Sequence, residues 1–313
     1  MKKIVSIILC TVLCTAFMCS CGNNTANDDG LKIVCTAFPQ YDYVKNILGT
    51  EEGVSLLLDD GADLHSYEPT ATDIIEIASA DLFIYTGGVS DSWVEGTLKS
   101  ANSDSLKAVA LMDMVETYDV DYVAGMEKEH NHNHEGEHEK DEHIWLSLRN
   151  SAKITQTLCD IICETDSANA EKYKANAEKY INSLNGLDGD YKSVIETAKR
   201  KTLLFADRFP FRYLVEDYSL EYHAAFSGCS SESEASFQTM AFLIDKTNEL
   251  NLPVVITIEG SDGSIAEMIC KETGAKTVTL DSCQSVSSAD IESGTSYINI
   301  MKNNLEILRE ALN

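Results

Sequence analysis

The sequence predicts an α/β protein with two lobes, each built on a mostly parallel sheet, and one long helix joining them. Three observations carry this. Short apolar runs alternate with longer helical patterns in both halves, which is the signature of strands covered on both faces by helices. An unbroken helical periodicity separates the halves. Finally, 313 residues, 44% hydrophobic and only 24% charged, are enough for two cores, at roughly 100–150 residues per domain.

In the first half, Lys32 to Thr36 reads as a strand, Tyr41 to Leu48 as a helix and Val54 to Leu58 as a second strand. Ala71 to Ala80 reads as a helix with Thr70 as its N-cap, because a threonine hydroxyl there accepts from the first turn. Asp81 to Thr86 is the next strand, ended by Gly87 and Gly88, followed by a helix over Ser92 to Ser100 and a strand over Leu106 to Leu111. In the second half, Thr202 to Ala206, Val254 to Ile258 and Thr277 to Leu280 read as strands. Helices are expected over Tyr213 to Asp217, Ser236 to Asn251, Ile265 to Thr273 and Tyr297 to Leu312.

Between these halves, Tyr173, Ala177, Tyr180, Leu184, Leu187, Tyr191, Val194 and Ala198 recur at gaps of four and three, which is one face of a helix. A run of about 32 residues would reach about 48 Å at 1.5 Å per residue, enough to traverse both lobes. Gly186 and Gly189 either bend it or divide it into two shorter helices. The resulting organisation is a leader over residues 1–20, a tether over 21–30, an N-terminal lobe over 31–167, a linking helix over 168–200 and a C-terminal lobe over 201–313.

The leader has the form of an export signal. Lys2 and Lys3 precede an apolar run from Ile4 to Met18, which is too short to span a bilayer comfortably. Met18-Cys19-Ser20-Cys21 resembles a bacterial lipobox, which makes Cys21 the expected lipidation site and the anchor to a membrane on its outer side. An ordinary cleaved signal, or an uncleaved anchor, is the alternative. The polar residues from Asn23 to Gly30 suit a tether.

Charge excludes some partners. With 51 acidic against 24 basic residues the formal charge is −27, which repels nucleic acid and anionic lipid surfaces. Such an envelope suits cationic ligands, and equally it serves solubility.

Four of the ten cysteines lie in or directly after the leader, and no pair has the CxxC spacing of a zinc ribbon or redox motif. Cys159 and Cys163 share a helix face and are expected to pack as small hydrophobes. Cys229 and Cys283 lie in loop-like sequence, and because export permits disulfides they are the pair expected to be bonded.

Histidines are the most informative residues. Four of the seven, His130, His132, His134 and His138, crowd into a fully polar loop within 128–142. Imidazoles interleaved with carboxylates on a chain without an apolar anchor suit loose capture of zinc-like cations. His65 ends Asp59-Asp60-Gly61-Ala62-Asp63-Leu64-His65, just after a strand, and His143 lies in Asp141-Glu142-His143-Ile144-Trp145-Leu146. In open α/β sheets the carboxyl ends of strands are where ligands bind. His223, in a strand-like run, is expected not to be a ligand.

The segment Gly61 to Thr70, the histidine loop and Asp141 to Leu146 are similar, in that order, to the zinc/manganese-binding substrate-binding lipoproteins of ABC transporters. That family reads approximately Gly-x-Asp-Pro-His-x-Tyr-Glu-Pro-Thr at the first motif and Asp-Pro-His-x-Trp-Leu at the second. The likeness extends over Leu31 to Asn313, including Tyr173-Lys174-Ala175-Asn176-Ala177 and the closing Gly294 to Leu312. The resemblance implies two α/β lobes bridged by a rigid helix, with a metal held in the interlobe cleft and His65 and His143 as the N-lobe ligands. On the C-lobe side, Arg208 in Asp207-Arg208-Phe209-Pro210 stands at the family's ligand position. Arginine has no acceptor and cannot coordinate, so either Asp207 takes that place or the site has three protein ligands and an open position. Asp281 matches the family's last ligand, and Asp63 and Glu68 are expected to fix the loop.

By that resemblance the transported ion is zinc, since manganese-selective members generally lack the histidine loop, with manganese the alternative. The expected partners are a membrane permease and its ATPase subunit, with the protein itself a monomer. Two rival readings are a surface adhesin or metal-buffering lipoprotein, and a metallohydrolase using Glu142 or Glu68 as base. GxSxG is absent from the sequence, and its HExxH match, His134-Glu135-Gly136-Glu137-His138, falls inside the fully polar loop rather than on a helix with an apolar face, so an enzyme is not expected.

Overall fold

In this computed structural model the described residues are 30–58, 63–101, 103, 105–127, 139–230, 234–284 and 286–313. The leader, Cys21 and most of the tether lie outside them, as do Gly61 and Ala62 of the first motif and His130, His132, His134 and His138.

The N-terminal lobe holds four strands, β1 (Ile33–Cys35), β2 (Val54–Leu56), β3 (Leu82–Tyr85) and β4 (Lys107–Ala110), in the order β2-β1-β3-β4. All pairs are parallel, in registers such as Val34 with Ser55 and with Phe83. Helices α1 (Phe38–Leu48), α2 (Ala71–Ser79) and α3 (Val94–Ala101) make the crossovers, and α4 (Leu148–Thr165) follows the loop region. Helix α1 starts three residues before the expected Tyr41, because Pro39 has the fixed φ that suits a first turn. Thr70 caps α2 as expected: its hydroxyl accepts from the Asp73 N–H at 3.3 Å, while the Asp73 carboxylate accepts from the Thr70 N–H at 2.7 Å.

The linking helix α5 is continuous over Ala170–Thr197, so Gly186 and Gly189 do not divide it. Its 28 residues span about 42 Å at 1.5 Å per residue. Tyr173, Ala177, Tyr180, Leu184, Leu187, Tyr191 and Val194, the stripe read from the sequence, are all buried, and Ala198 becomes the C-cap. Their hydroxyls are paired: Tyr180 donates to Asp42 Oδ2 at 2.7 Å on α1, and Tyr191 to the carbonyl of Met301. A buried Tyr O–H needs such an acceptor.

The C-terminal lobe repeats the architecture with β5 (Thr202–Phe209), β6 (Glu221–Ser227), β7 (Val254–Ile258) and β8 (Lys276–Leu280), in the parallel order β6-β5-β7-β8. Its helices are α6 (Arg212–Tyr218), α7 (Phe237–Glu249), α8 (Ser264–Thr273), a short α9 (Ser288–Glu292) and α10 (Tyr297–Ala311). One cluster of buried apolar residues runs through both lobes, from Ile33 and Phe38 through Trp145 and the α5 stripe to Phe205, Tyr297 and Leu308. The lobes thus share a core along the helix as well as a covalent connection. Among the described residues, no helix is long and apolar enough to cross a membrane.

The expected Cys229–Cys283 disulfide does not form, and all six described cysteines are free thiols. Their surroundings explain it. Cys229 sits beside Asp141 and Glu142, whereas Cys283 is fully buried near Asp281, Glu259 and Asp42. Burial pushes both thiols well above their ordinary range, which favours the protonated, inert form. Cys159 and Cys163 have Sγ atoms 3.9 Å apart on α4, in line with the shared helix face.

Candidate metal centre

His65 lies in a single 3-10 turn, Leu64–Ser66, beyond the end of β2, and Asp63 caps that turn by accepting the His65 N–H at 2.9 Å. His143 immediately precedes a second such turn, Ile144–Leu146, where Asp141 Oδ1 accepts its N–H at 2.9 Å. Each histidine is thus placed by an aspartate two residues earlier, whose short side chain folds back onto the chain. Together these turns bring the two Nε2 atoms to 3.3 Å.

The outer nitrogens are held too. Asp141 Oδ1 is 3.0 Å from His143 Nδ1, and Ser90 Oγ is 2.8 Å from His65 Nδ1. A carboxylate beside Nδ1 keeps the proton there and leaves the Nε2 lone pair free. Burial pulls His65 down to about 3, and the neighbouring His143 adds to it. His65 is therefore neutral near pH 7, the state a metal requires.

Glu142 is buried beside His65. Its Oε1 accepts the Ser90 N–H at 2.9 Å, while its buried Oε2 has no hydrogen-bond partner and lies 3.8 Å from His65 Nδ1. Burial raises its carboxyl above the usual range against the Ser90 hydrogen bonds. Only glycine fits at position 88: φ is +88°, and an added Cβ would meet Glu142 Oε1 at 2.3 Å.

From the C-terminal lobe, the structure brings different residues than expected. Arg208 donates to Asp63 Oδ2 at 2.8 Å, so the arginine at the family's ligand position clamps the turn carrying His65. Burial would push the Asp63 carboxyl up, but Arg208 and the His65 N–H outweigh it and hold it low. Asp63 therefore fixes the loop, as expected, while Glu68 is exposed. Asp207 Oδ1 accepts its neighbour's N–H, and its buried Oδ2 is without a hydrogen-bond partner. Asp281 Oδ1 accepts the Cys283 N–H at 2.7 Å, and its carboxyl is raised by burial. Among the described residues, no three of His, Cys, Asp and Glu form a group that could hold a metal ion. The structure thus joins His65 to His143 but does not bring Asp207 and Asp281 into a cluster with them. His223 lies on β6 with its ring edge-on to Phe242.

Besides Ser90, contacts around the loop after β8 were not foreseen from the sequence. Gln284 Nε2 reaches His65 Nε2 at 3.3 Å, Trp145 Nε1 donates to the Ser282 carbonyl at 2.8 Å, and Glu259 accepts the Ser282 N–H at 2.7 Å. Burial and then the neighbouring Asp281 raise Glu259 to about 7. Gln284 follows Asp281 by three residues on the loop after β8, a strand end where polar groups meet ligands; that was the available signal.

Comparison with known proteins agrees with this geometry. Residues 33–311 match the family described as "ZnuA: Zinc-uptake complex component A periplasmic". The chain is 32% identical over 314 residues to the zinc-binding lipoprotein AdcA of Streptococcus pneumoniae, covering 99% of this chain and 61% of that one. It therefore spans about three-fifths of the length of that relative. It is 31% identical over 309 residues to the high-affinity zinc uptake system protein ZnuA of Bacillus subtilis, covering 96% and 95%. The crystal structure of the Zn(II)-bound ZnuA-like domain of Streptococcus pneumoniae AdcA superposes with a TM-score of 0.74 at 27% identity, over 90% of this chain and 98% of that one. With most of its length matched and both imidazoles meeting in the cleft, this chain belongs to the family of zinc-uptake complex component A proteins.

Proposed function

We propose that this protein is the extracytoplasmic substrate-binding lipoprotein of a zinc ABC transporter, lipid-anchored through Cys21, capturing zinc and presenting it to a membrane permease driven by an ATPase. The single observation that carries this is the 3.3 Å separation of His65 Nε2 and His143 Nε2. With Zn–N bonds of about 2.0–2.1 Å, the edge of a tetrahedron is about 3.3–3.4 Å, so two ligands of one zinc ion stand this far apart. Two imidazole lone pairs facing each other at that distance repel unless a proton or a cation lies between them.

Zinc is favoured over manganese because the donors are nitrogen-rich, and manganese prefers an oxygen-rich, higher-coordinate site. The residues expected to ligate are His65, His143, Asp207 and Asp281, or, without Asp207, the other three with an open coordination position. The loop histidines His130, His132, His134 and His138 serve as a loose collecting arm. A shared core along α5 supports the rigid-spine reading, in which release depends on the permease disturbing the site rather than on wide lobe rotation.

The test is chelator competition with zinc and with manganese on the purified protein, on His65→Ala and His143→Ala, and on a deletion of residues 130–138. One tight zinc that survives the deletion and disappears with either histidine is expected. Loss of all tight binding with the loop would instead make the protein a metal buffer.

A further inference from the structure

We infer that Glu142 is a positioning residue for the cation: acting through Ser90, it fixes the proton of His65 on Nδ1 and leaves the Nε2 lone pair to the metal. The inference rests on the zinc-cleft reading and gives a role to a carboxylate outside the expected ligands.

The two imidazoles are held differently. Asp141 Oδ1 stands 3.0 Å from His143 Nδ1 and accepts its proton directly. Asp63, the corresponding aspartate of His65, has both oxygens occupied, Oδ1 by the His65 main-chain N–H and Oδ2 by Arg208. The neighbour of His65 Nδ1 is instead Ser90 Oγ, at 2.8 Å. A hydroxyl there is ambiguous, because with one proton and two lone pairs it can donate to Nδ1 or accept from it. If it donates, the proton of a neutral His65 sits on Nε2 and blocks the metal. If it accepts, Nε2 is free.

Glu142 removes the ambiguity. It is buried, its Oε1 accepts the Ser90 N–H at 2.9 Å, and the Ser90 side chain bonds to the same carboxyl group. An ionised carboxylate only accepts, and it draws a hydroxyl proton more strongly than a neutral ring nitrogen does. Ser90 therefore gives its proton to Glu142 and a lone pair to His65 Nδ1–H. The other oxygen, Oε2, has no hydrogen-bond partner and lies 3.8 Å from the same Nδ1, so its charge faces that proton as well. Negative charge behind the ring makes Nε2 a stronger donor to the cation.

The chain is shaped for this contact. Gly87 and Gly88 both have positive φ, at 93° and 88°, and at position 88 a Cβ would strike the Glu142 carboxylate. Glu142 also stands where the second motif of the resembled family carries proline, whose side chain offers no acceptor. The relay from Glu142 through Ser90 to His65 thus belongs to this chain rather than to the motif.

The experiment compares wild type, Glu142→Gln, Ser90→Ala, Ser90→Thr, the double variant of Glu142→Gln with Ser90→Ala, and His143→Ala. It reads zinc affinity by chelator competition and, by NMR, the His65 Nδ1–H proton resonance of the zinc-loaded protein. Gln keeps the size and the acceptor for the Ser90 N–H but removes the charge. Affinity is expected to fall about 10–100-fold in Glu142→Gln and in Ser90→Ala, the range typical of groups that support metal ligands. Ser90→Thr keeps the hydroxyl and should bind as wild type does. The double variant should bind no more weakly than the worse of its two parents, since both act on one path. The Nδ1–H resonance should move upfield in Glu142→Gln, whereas a carboxylate that merely packed the loop would leave it in place. An unmoved resonance or wild-type affinity in Glu142→Gln overturns the inference, even where His143→Ala abolishes binding. Wild-type affinity in Ser90→Ala overturns it without any change at Glu142. If His143→Ala binds as wild type does, the cleft reading falls and the inference with it.

Discussion

Replacing Gly88 with alanine should damage both the stability of the N-terminal lobe and the metal centre. At φ +88° an L-residue costs about 1–2 kcal/mol for the left-handed conformation. The new Cβ would also stand 2.3 Å from Glu142 Oε1, so the carboxylate must move and release the Ser90 N–H it accepts at 2.9 Å. A hydrogen bond to a charged group contributes about 1.5–3 kcal/mol, which brings the total to about 2.5–5 kcal/mol. Without that hydrogen bond Ser90, whose Oγ lies 2.8 Å from His65 Nδ1, is held less firmly, so zinc affinity should fall with stability. Gly96→Ala is the control: it lies on exposed α3 with nothing within 4 Å of a Cβ, and should stabilise by about 0.5–1 kcal/mol through helix propensity. Urea unfolding of the metal-free protein measures both. A Gly88→Ala variant within 0.5 kcal/mol of wild type, on the order of an ordinary surface substitution, would refute the packing of Glu142 against the glycine.

Acid should destabilise the metal-free protein through His65. The folded state holds His65 at about 3 whereas the unfolded chain takes the proton near the ordinary value of 6.5. The contribution is intact above pH 6.5 and is lost progressively as pH falls toward 3, at about 1.4 kcal/mol per unit. Between pH 7 and pH 5 this amounts to about 2 kcal/mol; denaturant titrations at the two pH values should show it, and His65→Leu should lose that slope, an equal slope refuting it. Trp145→Phe leaves the Ser282 carbonyl without its indole donor. It should cost about 1–3 kcal/mol and weaken zinc binding by loosening the 282–284 loop; unchanged thermal unfolding and affinity would count against that role. Tyr180→Phe removes the donor to Asp42, whose carboxyl burial already raises. A loss of about 1–3 kcal/mol is expected in urea, and a neutral result would show that α5 is not fastened to α1 there.

How much of this was legible in the sequence differs by element. The stripe from Tyr173 to Val194 could be read because a helix face repeats locally, and all seven of those residues are buried. His65 and His143 stood out because each lies near a strand end in a motif that resembles the family's; the aspartate two residues earlier, which accepts each histidine's N–H, emerged only in the folded chain. The partners of these histidines were hidden, since Ser90 and Gln284 reach His65 across 25 and 219 residues of sequence. Arg208 was recognised as unable to coordinate, but only the folded chain shows that it pairs with Asp63. The Cys229–Cys283 expectation failed because loop-like sequence says nothing about which way two thiols face, and these face different groups.

The most direct test is a crystal grown with zinc and measured at the zinc absorption edge. Anomalous density is expected between His65 Nε2 and His143 Nε2, about 2.0–2.1 Å from each, with both Nδ1 atoms still on Ser90 and Asp141. Zinc bound elsewhere, with the two rings in contact and no density between them, would contradict the assignment of this cleft as the metal site.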